Sequence, residues 1–151
     1  MKAKIEKNYS VEYAHRLPLH QGQCRFIHGH SGKVKVVFEG TVDNKTGMVV
    51  DFGEFSWLKK IIEEFDHALI LMKTDKLCDY LLKGVDEGLI DPLSIIIMEG
   101  SPTAENILMY IMNKILENPD FRLLNKNSNY FVLWSVTFEE TVGNAATVEA
   151  L

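Results

Sequence analysis

Apolar and polar residues alternate from Lys33 to Gly40, where Val34, Val36 and Phe38 fall on one side and Lys33 and Lys35 on the other. A period of two is that of a half-buried strand. Asp43-Asn44-Lys45-Thr46-Gly47 is a turn signal that leads into a short apolar run, Met48-Val49-Val50. From Glu54 the period changes. Phe55, Leu58, Ile61, Ile62 and Phe65 recur at helical spacing and predict an amphipathic helix. A second helix is predicted from Ser101-Pro102, with Ser as cap and Pro at the first helical position. Its buried stripe is Ile107, Leu108, Ile111, Met112, Ile115 and Leu116, and Asn118-Pro119 ends it. Asn129 to Glu140 alternates again, which places Val132, Trp134, Val136 and Phe138 on one face. Between Lys73 and Met98 the pattern is weaker and predicts a short helix at Asp75 to Lys83 and a short strand at Ser94 to Met98. This order favours an α+β fold with an antiparallel sheet and helices on one face.

The length, 151 residues, suits a single domain, 1–151. The net charge of -5, with no cluster of Lys or Arg, argues against a nucleic-acid partner. No apolar run approaches the roughly 20 residues of a membrane helix. Met1 to Asn8 lacks an apolar signal core, so the chain reads as cytoplasmic. In a reducing compartment Cys24 and Cys78 need not pair.

The densest chemistry lies between His15 and His30. His28 and His30 are two apart, directly before the Lys33 strand, and in phase with Val34, Val36 and Phe38. If the pairing has no bulge, both imidazoles extend the apolar face and sit at the rim of the core. His15 could add a third ligand from a neighbouring strand. Three protein ligands with an open position are the pattern of a catalytic zinc site. Without further information the three histidines fit a metal site and an ordinary structural role about equally. His20 has no spacing to recommend it and reads as a loop residue. Glu140 is in phase with Val136 and Phe138, and a carboxylate on an apolar face is costly unless paired. A strand-end glutamate facing solvent explains it better on the residues alone.

Ala14-His15-Arg16-Leu17-Pro18 followed by Cys24-Arg25-Phe26-Ile27-His28-Gly29-His30 resembles the 6-pyruvoyltetrahydropterin synthase / 6-carboxytetrahydropterin synthase superfamily. Gly47-Met48-Val49-Val50-Asp51-Phe52, Phe65-Asp66-His67, Ser101-Pro102-Thr103-Ala104-Glu105-Asn106 and Glu140-Thr141 resemble further family segments in the right order. The resemblance implies a T-fold: a four-stranded antiparallel sheet with two main helices on one face, whose copies associate into a barrel. It implies zinc on His15, His28 and His30, and a homo-oligomer, tetramer or hexamer, with active sites at subunit interfaces. It implies that Cys24, Asp66 and His67 carry the proton chemistry, that Glu140 anchors a pterin, and that Thr103 and Glu105 contribute to substrate binding. Capping already explains Thr103, and the helix dipole already favours Glu105.

Three residues separate Cys24 from His28, which is similar to the 6-carboxytetrahydropterin synthases of 7-deazaguanine (queuosine) biosynthesis. The implied reaction is a lyase step on 7,8-dihydroneopterin triphosphate that yields 6-carboxy-5,6,7,8-tetrahydropterin, acetaldehyde and triphosphate. Pyruvoyl-type triphosphate elimination and a zinc-stabilised scaffold are the rival readings. Side chains of adjacent residues do not easily meet within a helix, so Asp66-His67 should lie at a helix end or in a loop. The chain departs from many relatives in placing Leu71 and Met72 where an Asn commonly follows the Asp-His pair, and in an enlarged segment at about 73–98.

Overall fold

The computed structural model describes residues 1–150. The chain runs β1 (Lys2–His15), β2 (His28–Thr41), α1 (Ser56–Glu63), β3 (Ala68–Met72), α2 (Leu77–Asp86), β4 (Ile95–Met98), α3 (Ala104–Glu117), α4 (Pro119–Asn127), β5 (Phe131–Thr141) and β6 (Asn144–Glu149). β1 and β2 are the spine and pair antiparallel without a register shift from Lys2↔Thr41 to His15↔His28. The condition for His28 and His30 to share the face of Val34, Val36 and Phe38 is therefore met.

The sheet order is β4-β3-β1-β2-β5-β6. β2, β5 and β6 continue antiparallel, whereas β3 pairs parallel with β1 and β4 parallel with β3. The sheet is thus six-stranded and mixed, not four-stranded and antiparallel. The added strands lack the alternation that marks a half-buried strand. Ala68-Leu69-Ile70-Leu71-Met72 and Ile95-Ile96-Ile97-Met98 are continuous apolar runs, the composition of parallel strands covered on both faces. Asn144 to Glu149 is a short edge strand with little burial. Leu71 and Met72 are buried core residues of β3, and the 73–98 segment supplies α2 and the edge strand β4.

α1 and α3 pack on the face that carries Val34, Val36 and Phe38, burying Leu58, Ile61, Ile62, Ile107, Leu108, Ile111 and Ile115 in one continuous core. Burying each such side chain contributes about 1.5–3 kcal/mol. α3 starts later than the sequence suggests. Thr103, in extended conformation, is its cap and accepts from the Asn106 N–H, while Ser101 and Pro102 stay outside the helix. Asn118 ends α3 and caps α4 through its side chain, with Pro119 at the first position.

The predicted face of β5 is corrected as well. Val136 and Phe138 are buried, but so are Phe131 and Leu133, whereas Val132 and Trp134 are only half-buried. Val37 pairs with Ser135 and Phe38 with Leu133, so Trp134 is the extra residue of a β-bulge. One inserted residue reverses the phase of a period-two pattern. Trp134 turns to the outer face, where the Lys4 ammonium sits 3.3 Å from its ring centroid. Met48-Val49-Val50 forms no strand.

Candidate active site

The β1/β2 register makes His15 and His28 direct cross-strand partners, and His30 follows on the same face. Nε2 of His15 lies 3.2 Å from Nε2 of His28 and 3.1 Å from Nε2 of His30. Nδ1 of His15 is 2.7 Å from the Pro102 carbonyl and Nδ1 of His28 is 2.8 Å from the Phe26 carbonyl. A carbonyl only accepts, so each of these Nδ1 atoms carries the proton and donates. Their Nε2 atoms are then lone pairs facing each other, an arrangement that favours a cation between them. Nitrogens on a tetrahedral zinc with Zn–N near 2.0–2.1 Å are about 3.3 Å apart, close to the spacing seen here. Backbone carbonyls that fix the tautomer are the usual support of metal-ligating histidines. The residues fit a metal ion.

His15 is fully buried, and burial pulls its pKa down to about 4; the bond to Pro102 opposes this and the neighbouring His28 and His30 add to it. Burial also lowers His30, against the pull of Glu140. Both are therefore neutral near pH 7, the form that binds metal.

Glu140 reaches the same spot from β5. Its carboxylate oxygens are 3.6 Å from Nε2 of His30 and 4.0 Å from Nε2 of His15. Glu140 also lines a cleft of about 280 Å³ with Ala104, Glu105, Gly143 and Asn144. Glu105 is exposed, and its pKa is lowered by its own backbone N–H and then by the Thr103 hydroxyl. Thr103 is engaged as the α3 cap. Of this pair, only Glu105 opens onto the cleft that Glu140 lines.

Asp66 and His67 lie in the turn after α1, outside the helix. His67 adopts a left-handed φ of 62°. Asp66 Oδ1 accepts from the Glu12 N–H at 2.8 Å, and Oδ2 is 3.0 Å from His67 Nδ1 in the same chain. The Glu12 bond is the main reason the Asp66 pKa is lowered. The His67 side chain is 79% exposed and opens on a cleft of about 510 Å³ lined by Glu12, Gly29, Ser31 and Ser94, which Tyr13 and His30 also border. Glu12, Gly29 and Ser31 alternate with Tyr13, His28 and His30, so they occupy the sheet face opposite the three imidazoles. Within one chain the Asp-His pair and the histidine cluster are separated by the sheet.

Cys24 sits in a 3-10 turn, Gln23–Arg25, of the loop whose feet are His15 and His28. It is unpaired and partly exposed. No hydrogen bond joins it to Asp66 or His67 among the described residues. The loop is tied at its base, where Arg16 Nε lies 2.8 Å from Oδ2 of the buried Asp75, at the start of the 73–98 segment. The Pro102 and Phe26 carbonyls and this ion pair left no mark in the sequence pattern. Tyr13 did leave one: it is in phase with Val11 and His15, and its ring lies against both His15 and His30.

The sequence pattern of the family described as 6-pyruvoyl tetrahydropterin synthase matches residues 4–150. The chain belongs to that family. A 6-carboxy-5,6,7,8-tetrahydropterin synthase of Rickettsia conorii is 34% identical over 131 residues, covering 85% of this chain and 88% of its own. The protein of the same name from Rickettsia bellii is 30% identical over 138 residues, 90% and 93% of the two chains. Among solved structures, an uncharacterised protein of Wolinella succinogenes superposes with a TM-score of 0.76 at 26% identity, covering 100% and 99% of the two chains. A Plasmodium vivax 6-pyruvoyltetrahydropterin synthase superposes with a TM-score of 0.73 at 22% identity, covering 99% and 98%, a likeness of fold. Membership in the synthase family extends over the additional strands, since the match runs through β3, β4 and β6. No helix among the described residues is long and apolar enough to cross a membrane.

Proposed function

We propose that the chain is a zinc-dependent 6-carboxy-5,6,7,8-tetrahydropterin synthase, a carbon-carbon lyase that converts 7,8-dihydroneopterin triphosphate and water to 6-carboxytetrahydropterin, acetaldehyde and triphosphate. The observation that carries this reading is the convergence of three imidazole nitrogens and the Glu140 carboxylate on one point. The Rickettsia relatives bear that name over most of both chains. The Cys24 spacing to His28 favours the carboxy branch over the pyruvoyl branch.

His15, His28 and His30 would hold the ion, with the Pro102 and Phe26 carbonyls fixing two of the rings. Zinc bound there supplies Lewis acidity to oxygen groups of the substrate side chain. Glu140 accepts from the paired N–H groups of the pterin's amino-pyrimidinone edge, for which a two-oxygen carboxylate is the matching acceptor. Glu105 borders the same entrance, and Thr103 caps the helix that carries it. Cys24, as thiolate, removes a proton from a side-chain carbon. His67 delivers or takes the second proton at Nε2, because Asp66 engages its Nδ1.

The sheet between the His67 pair and the histidines favours a site shared between copies: one subunit presents Asp66 and His67 to the cluster of another. A homo-oligomer is then required for activity. The role suits a cytoplasmic enzyme of 7-deazaguanine (queuosine) biosynthesis. The test is product analysis of the zinc-loaded protein with 7,8-dihydroneopterin triphosphate. Acetaldehyde from wild type but not from Cys24→Ala supports the lyase. Triphosphate release without acetaldehyde moves the chain to the pyruvoyl branch, and no turnover points to a scaffold.

A further inference from the structure

Tyr13 is 4% exposed, and its hydroxyl is buried with no hydrogen-bond partner. Buried polar groups are nearly always paired, so an orphan inside a site calls for a functional reason. The ring is held in place on several sides: its centroid lies 5.3 Å from that of His15, and 5.5 Å from those of His30 and Phe138. It crosses β2 at Gly32. A Cβ there would lie 3.1 Å from Tyr13 Cε1 and 3.2 Å from the Glu139 carbonyl, so glycine leaves the ring room to pass toward β5. The β2/β5 register pairs Lys33 with Glu139, so Glu140 follows on β5 beside Gly32, where the ring crosses; its charge adds to burial in raising the Tyr13 pKa.

Glu140 is the complementary orphan. Its oxygens stand 3.6 and 4.0 Å from the imidazole nitrogens, too far for hydrogen bonds, and a neutral His15 with its proton on Nδ1 offers a lone pair there. No donor reaches the Glu140 carboxylate among the described residues. A buried donor without an acceptor thus stands beside a carboxylate without a donor.

We infer that Tyr13 is a positioning residue for ligand binding: its phenol, unpaired in this structure, donates to the Glu140 carboxylate once a pterin is bound and aims the carboxylate at the pterin rather than at the imidazoles. The inference rests on the reading of Glu140 as the pterin anchor. A carboxylate has lone pairs enough to accept from the phenol and from two ring N–H groups together. The proton stays on the phenol throughout, and no step of the reaction passes through Tyr13.

The test compares wild type and Tyr13→Phe as zinc-loaded full-length proteins. The readouts are the Kd for 7,8-dihydroneopterin, the melting temperature and the zinc content. Phe keeps the ring against His15, His30 and Gly32. Loss of a hydrogen bond to a charged group is expected to raise Kd about tenfold or more. Zinc content should stay the same, and the melting temperature should hold or rise, because an unpartnered buried hydroxyl is removed. A tyrosine that only fills the core would show the change in melting temperature with no change in Kd, and that result overturns the inference alone. A wild-type protein that carries zinc but does not bind 7,8-dihydroneopterin overturns the Glu140 reading and this inference with it.

Discussion

The metal-free protein should lose stability as the pH falls through the range in which its buried histidine would take a proton. His15 has a folded pKa of about 4 against an ordinary 6.5. Between those values the unfolded chain binds a proton that the folded chain refuses, so stability rises with pH across the window and falls as the solution is acidified. The difference, 6.5 minus about 4, is about 2.5 pH units. At about 1.36 kcal/mol per unit this is roughly 3 kcal/mol at most, and water reaching the half-exposed His28 and His30 side reduces it to about 2 kcal/mol. His30, lowered in the same direction, adds to the slope. Urea unfolding of chelator-treated protein at steps from pH 7.5 to 4.5 measures the effect, with His15→Gln as the control that removes it. A midpoint that stays flat over this range in wild type, or falls equally in His15→Gln, would refute the assignment of His15 as a buried neutral ligand.

Three further perturbations probe the site and the packing of the fold. Asp75→Ala leaves Arg16 without its buried counter-charge at the root of the Cys24 loop. It should cost about 2–3 kcal/mol in urea unfolding, less than a wholly buried pair because Arg16 is partly exposed. His67→Gly relieves a left-handed residue and should hold or gain about 0.5–1 kcal/mol while abolishing turnover, so stability and activity move in opposite directions. Gly40→Ala would drive a methyl into Val49 Cγ1 and against the Tyr130 carbonyl, and a shift of the 41–50 turn should cost about 1–3 kcal/mol in melting measurements.

The clustering of the three histidines was legible in the sequence because their arrangement is local. Two histidines two apart on a regular strand must share a face, and the unbroken β1/β2 register supplies the third as a cross-strand neighbour. The helices were legible for a similar reason, since Phe55 to Phe65 and Ile107 to Ile115 carry their period in the chain itself. The start of α3 was misplaced by two residues of favourable composition, because Ser101-Pro102 suits a cap as well as Thr103 does. β3 was hidden because a strand covered on both faces has no alternation to read, whereas the apolar run at Ser94 to Met98 did mark β4. The β5 bulge at Trp134 was hidden because a phase reversal depends on pairing with β2. The positions of Pro102 O and Asp75 depend on contacts across the fold, and a period along the chain cannot encode them.

Zinc titration into the metal-free protein, with acetaldehyde release from 7,8-dihydroneopterin triphosphate followed at each point, tests the central claim most directly. Acetaldehyde should rise in proportion to bound zinc up to one ion per chain, and His28→Ala should bind zinc far more weakly and release none. Acetaldehyde from the zinc-free protein, or undiminished zinc affinity in His28→Ala, would contradict it.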